Sequence, residues 1–180
     1  ICGPFKRVCM TEGTDSGHHY AINWRKLMPL FVALVLSYTA AALGALGSVS
    51  APEFYALLNR PPWAPPAWLF GPVWSVLYTL IALSSWLLWK KINFSERLPY
   101  VILITQLLAN ALWSWLFFAW KLGFVAVIEI TLLWALIAAN IIVFYTRSKM
   151  AALLLLPYLC WVSFAAVLAI ALWQSNPSLL

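Results

Sequence analysis

The chain has 180 residues, of which 64% are hydrophobic and only 9% charged, with a formal net charge of +6. Soluble domains carry about 25% charged residues, so this composition excludes an ordinary water-soluble fold and predicts an all-α integral membrane protein. An excess of positive charge also suits nucleic acid, and the placement of the charges decides between that partner and a membrane.

A spanning helix needs about 20 mainly apolar residues, and five runs qualify, at roughly 27–47, 68–89, 99–119, 123–145 and 151–173. They leave little chain over, so the expectation is a single five-transmembrane-helix bundle within residues 24–177. Residues 1–23 lack the apolar h-region of a signal peptide and read as a disordered N-terminal extension. Cys2 and Cys9 in that extension and Cys160 in the fifth run form neither a disulfide framework nor a zinc spacing. His18 and His19 have no Cys, Asp or Glu spaced to share a metal with them, so no metal site is expected.

With five crossings, Lys6, Arg7, Arg25, Lys26, Lys90, Lys91, Arg97, Arg147 and Lys149 fall on the N-terminal side, and only Arg60 and Lys121 of the 11 basic residues fall opposite. Cytoplasmic loops carry such an excess of Lys and Arg. The N-terminus is therefore expected in the cytoplasm and the C-terminus outside. The basic balance is a matter of topology, and no nucleic-acid partner is expected.

In chain order, the first run carries Ser37, Ala41, Gly44 and Ser48 at helical spacing, a ridge of small residues that lets a neighbouring backbone approach closely. A loop of about 20 residues follows, and its prolines and aromatics, among them Phe54, Tyr55 and Trp63, suggest a lid. From Asn59 to Tyr78 the chain packs five prolines and three tryptophans into one stretch. Proline fixes φ and donates no hydrogen bond, so Pro61-Pro62 and Pro65-Pro66 make this a stiff cap, while Trp63 and Trp68 suit the lipid-water boundary.

The second run sets Trp74 and Tyr78 on one helical face. The third places Gln106, Asn110, Trp113 and Phe117 on one face with Ser114 beside them; amides at that depth face protein, water or a ligand, and interhelical hydrogen bonding is as good a reading as ligand contact. In the fourth, Glu129 is the one carboxylate inside any span and Asn140 returns to nearly its face. Intramembrane ionisable groups are functional candidates, although a long side chain near a helix end also snorkels to the surface. The fifth run contains Pro157, expected to kink it, then Tyr158 and Trp161, with Val162, Ala165, Ala166 and Ala169 as a second narrow ridge.

The string Tyr55, Leu58, Arg60-Pro61-Pro62-Trp63-Ala64-Pro65-Pro66, Trp68, Phe70, Pro72-Val73-Trp74 and Leu77-Tyr78 resembles the signature of the translocator protein family, the tryptophan-rich sensory proteins or peripheral-type benzodiazepine receptors. Gln106-Leu107, Asn110, Trp113-Ser114 and Phe117-Phe118 in the third run match as well, as do Pro157-Tyr158-Leu159, Trp161 and Phe164-Ala165 in the fifth. The resemblance spans about Trp24 to Pro177. It implies a five-helix bundle, often a homodimer, that binds porphyrins such as protoporphyrin IX and, in some members, cholesterol and benzodiazepine-type drugs.

On that resemblance the ligand-binding positions are Tyr55, Trp74, Tyr78, Asn110, Trp113, Ser114, Trp161 and Ala165, and Glu129 falls where relatives often carry an acid. The chain departs from the pattern at Ala169, where Asn is common, and lacks the Tyr and Arg of the animal cholesterol segment, which speaks against sterol binding there. A porphyrin is a flat apolar ring with two carboxylates: Trp74, Trp113 and Trp161 supply aromatic walls and Arg60 a charge-assisted hydrogen bond. The porphyrin is then a ligand and no cofactor is expected; lipid is the other partner. The leading function is a membrane receptor that senses or regulates tetrapyrroles. The alternatives are a passive or gradient-driven transporter of porphyrin or another small amphiphile, and light-dependent porphyrin breakdown with Trp74 and Trp161 as participants. No other catalytic residue is read from the pattern.

Overall fold

The computed structural model describes residues 24–92 and 96–180, with the backbone alone for residues 24–26. The expected N-terminal extension, with its cysteines and histidine pair, lies outside the described residues. Five long helices are apolar enough to cross a membrane: α1 (Trp24–Gly47), α3 (Phe70–Trp89), α4 (Arg97–Ser114, continued by a widened turn to Ala119), α5 (Gly123–Tyr145) and α6 (Lys149–Ser175). A seven-residue helix, α2 (Ala51–Leu57), stands between the first two.

The termini follow from local chemistry. The Ser148 hydroxyl accepts the Ala151 N–H at 3.3 Å and starts α6 two residues before the apolar run begins. That helix then continues through Pro157 to Ser175 without a break. The last turn of α4 widens over Trp115–Ala119, where Trp120 N–H reaches the Trp115 carbonyl at 2.8 Å. Lys121 ends this turn with φ 53°, and Leu122 N–H returns to the Leu116 carbonyl at 2.9 Å. A left-handed residue followed by such a long back-bond is a helix stop usually built on glycine.

The region expected to be an irregular lid begins instead with α2. Pro52 sits at the start of the helix, where its missing N–H costs nothing. Glu53 lies in the first turn, on the favourable end of the dipole. Phe54, Tyr55 and Leu58 are spaced to share one face, and all three are buried. Phe54 meets Phe117 edge-on with centroids 6.5 Å apart. The helix stops where Leu58 turns extended at ψ 141°, ahead of the proline-rich segment.

The five spans form a closed ring. In order of contact, α1 packs on α3, α3 on α6, α6 on α5, α5 on α4, and α4 back on α1. Inside, Ile130, Leu133 and Ile137 of α5 interlock with Leu155, Tyr158 and Val162 of α6, and fill that half of the ring. At the seam of α1 with α4, Gly44 brings α1 to where a methyl group would lie 3.7 Å from the Ala111 backbone. The small-residue ridge thus provides the close approach read from its spacing.

A candidate ligand cavity beneath the lid

The half of the ring bounded by α1, α3 and α4 is not filled. A cavity of about 530 Å³ lies there, under α2. Its α1 wall is mostly small, Ala41, Ala42, Gly44, Ala45 and Ser48, with Tyr38 at one edge, where its hydroxyl meets Thr79 Oγ1 of α3 at 2.8 Å. Its other walls are aromatic: Phe70, Trp74 and Tyr78 from α3, and Trp113 and Phe118 from α4, with Tyr55 and Pro52 from the lid. Small residues facing large ones on the other helices are what leave this volume open.

The large rings are fixed by their neighbours. Trp113 stacks on Phe117 with centroids 5.2 Å apart and planes 15° apart, and meets Phe118 edge-on at 5.7 Å. Trp74 lies against Tyr78 at 5.6 Å and against Tyr158 at 6.1 Å. Few polar groups join them. Asn110 Nδ2 donates to Tyr78 Oη at 2.9 Å, and both side chains are buried. The Trp113 indole N–H is buried and has no partner among the described residues, although such donors are usually satisfied. Ser114, next to Gly44, completes this polar strip.

The lid is tied over the cavity by side chains. Tyr55 Oη donates to the Pro65 carbonyl at 3.0 Å, and its ring stands edge-on to Phe70 at 5.6 Å. The Arg60 guanidinium lies 4.9 Å above the Tyr55 ring. Burial pushes the Tyr55 phenol up from its ordinary value, and the nearby guanidinium offsets part of that rise. Trp63 meets Phe164 of α6 edge-on at 5.9 Å, so this tryptophan, read as a boundary residue, also holds the lid.

Six of the ten expected ligand positions line the cavity: Tyr55, Trp74, Tyr78, Asn110, Trp113 and Ser114. Arg60 is exposed, in the second rank behind Tyr55. Trp161 packs on Phe70 at 5.9 Å, one layer behind the wall, and borders an apolar groove on the outer face between α3 and α6. Ala165 is packed in the core. Glu129 is buried on α5, away from the cavity lining, and among the described residues neither carboxyl oxygen has a hydrogen-bond partner. Of the amides, Gln106 accepts a hydrogen bond from Asn140 across α4 and α5, which is interhelical glue rather than a cavity wall. Among the described residues no cluster of three His, Cys, Asp or Glu comes together.

Phe70 and Phe118 were not singled out from the sequence as cavity residues. Nor was the second role of the α1 ridge, because spacing of small residues signals close packing and is silent about the void beside it.

Set beside known proteins, residues 31–174 match the model of the TspO/MBR family, and that stretch includes the lid and nearly all of the five spans. The chain belongs to this family. A tryptophan-rich protein TspO of Chlorobaculum tepidum is 40% identical over 144 residues, covering 76% of this chain and 90% of the relative. The translocator protein of Bos taurus is 36% identical over 127 residues, 69% of this chain and 75% of its own. A tryptophan-rich sensory protein of Cereibacter sphaeroides is 32% identical over 136 residues, 74% and 85% of the two chains. Membership and the five apolar helices together make this TspO/MBR chain an integral, multi-pass membrane protein.

Proposed function

We propose that this protein is a membrane receptor for porphyrins, binding a tetrapyrrole such as protoporphyrin IX in the cavity under α2 and reporting or regulating its level. The observation that carries this reading is the pair of indoles, Trp74 on α3 and Trp113 on α4, in the wall of one cavity of about 530 Å³. That volume is in the range of roughly 300–1,000 Å³ typical of small-molecule sites. Aromatic faces favour stacking on a flat ring. The free Trp113 N–H and the Asn110–Tyr78 pair offer the few polar contacts that orient a ligand. Arg60 on the lid is the cation for a ring carboxylate.

Two further elements belong to the same proposal: a cytoplasmic N-terminus, from the sidedness of the basic residues, and a homodimer, from the resemblance. The test of function is a titration of the purified protein with protoporphyrin IX in the dark and then under light. Saturable binding that leaves the absorption spectrum intact under light supports a receptor. Bleaching that requires the protein transfers the assignment to porphyrin breakdown, and flux into proteoliposomes without bleaching transfers it to transport.

A further inference from the structure

We infer that Asn176, at the C-terminal end of α6, is a positioning residue: its carboxamide latches the segment between α2 and α3 over the cavity and sets how long a ligand stays inside. The inference rests on the cavity being the ligand site. It begins from what the proline-rich segment lacks. Pro61, Pro62, Pro65 and Pro66 carry no backbone N–H, so the chain from Leu58 to Pro66 has few means of knitting itself together. Its internal backbone bond is Ala64 N–H to the Pro61 carbonyl at 3.0 Å. A stretch this poor in donors has to be held from outside.

One side chain supplies the hold. Asn176 Oδ1 accepts the Asn59 N–H at 2.8 Å, and Asn176 Nδ2 donates to the Asn59 carbonyl at 3.1 Å. Both peptide groups of Asn59 are thus taken by an amide 117 positions away in sequence, much as a neighbouring strand would take them. The same Nδ2 donates to the Leu172 carbonyl at 2.8 Å, in the last turns of α6. Asn176 is only 6% exposed, which keeps water from competing for these bonds. Its own carbonyl accepts N–H groups from Leu179 and Leu180 at 3.0 and 3.1 Å, so the latch is built on a closed turn and not on a loose end.

The leverage comes from position. Asn59 follows the extended residue that ends α2, so the latch fixes the end of the element that presents Tyr55 to the cavity. Beyond it the paired prolines stiffen the chain, and releasing Asn59 frees the lid as one piece. The remaining ties to the bundle are Phe54 on Phe117 and Trp63 on Phe164, while the Tyr55 to Pro65 bond braces the lid internally.

The test uses the full chain in detergent or nanodiscs, with Asn176→Ala and Asn176→Asp. The second variant is close in shape, keeps the acceptor for Asn59 N–H and loses both donations, so it carries the test where the alanine variant loses helix content. Two quantities are read: hydrogen exchange of the amides in 58–66 without ligand, and the release rate of protoporphyrin IX after loading. Loss of about three hydrogen bonds, each worth roughly 1 kcal/mol net, leads us to expect at least tenfold faster exchange and tenfold faster release for Asn176→Ala. Asn176→Asp, which sets a carboxylate oxygen against the Asn59 and Leu172 carbonyls in a buried site, should speed both at least as much. Unaltered exchange in both folded variants overturns the latch, and faster exchange with unaltered release overturns its control of residence. Faster exchange in a protein that does not bind porphyrin at all sustains the latch and overturns the ligand assignment instead.

Discussion

Gly47 is where the packing of this bundle can be challenged with one methyl group. A Cβ built on Gly47 lies 2.9 Å from both Cδ1 and Cγ of Trp115, where ordinary contact begins at 3.4 Å. The indole cannot retreat freely, because its Nε1 donates to the Leu43 carbonyl one turn earlier on α1 at 2.9 Å. Gly47→Ala therefore forces either a shift of the ring by about half an ångström, which loosens that hydrogen bond, or a parting of α1 from the end of α4. Overpacking costs roughly 1–3 kcal/mol and a weakened hydrogen bond up to about 1 kcal/mol. Helix propensity returns less than about 1 kcal/mol at the last residue of a helix. The net expectation is a loss of about 1–2 kcal/mol, measured by reversible unfolding in mixed micelles followed by circular dichroism. Trp115→Ala, which removes the ring atoms that the new methyl group meets, should abolish the clash, as a coupling of about 1 kcal/mol in a double-mutant cycle. Gly71→Ala, with no atom within 4 Å of the new methyl group, is the control and should be neutral. A Gly47→Ala protein as stable as the wild type, or one with no coupling to Trp115, would refute the close packing of α1 on the widened turn.

Asn110→Leu removes the donor to Tyr78 Oη inside the bundle; stability should fall by about 1–3 kcal/mol, and porphyrin affinity several-fold in an equilibrium titration. Arg147 and Glu96 form a partly exposed ion pair at 2.9 Å; Arg147→Met should cost under about 1 kcal/mol, and the difference from wild type should shrink in high salt. A reporter fused after Leu180 should be active on the non-cytoplasmic side of a bacterial inner membrane; cytoplasmic activity would reverse the orientation. Protease protection of residues 48–66 should rise on adding porphyrin, and unchanged protection at saturation would remove the lid from the binding step.

The five spans were legible because hydrocarbon imposes a length and a composition that little else in a protein satisfies, and their bounds shifted by only a few residues where caps such as Ser148 extended a helix. α2 was harder to read. Seven residues containing a proline are too few to show a period, and its stability comes from seating Phe54 on Phe117, a contact between residues far apart in sequence. The cavity was legible as a face of α3 and a face of α4, through Trp74, Tyr78, Asn110 and Trp113. Its location was not, because which half of a helical ring stays open depends on how Ala41 and Gly44 of one helix meet the large side chains of two others. Trp161 shows the same limit from the other side. Its place after Pro157 suits a cavity wall, yet the rotation of α6 sets it behind Phe70. Asn176 lies beyond the apolar pattern altogether, and only its pairing with Asn59 reveals a role.

The proposed porphyrin site lies between Trp74 and Trp113 under the lid. It is tested most directly by quenching of tryptophan fluorescence in protoporphyrin IX titrations of four single variants, Trp74→Phe, Trp113→Phe, Trp68→Phe and Trp89→Phe. The first two keep an aromatic ring but reduce stacking area and remove the indole N–H; each should lose about 1 kcal/mol, several-fold in affinity. Trp68, in the short turn just before α3, and Trp89, its last residue, lie outside the cavity lining, and their variants should bind as the wild type does. Weakened binding in the Trp68 and Trp89 variants, with wild-type affinity at Trp74 and Trp113, would contradict the placement of the site.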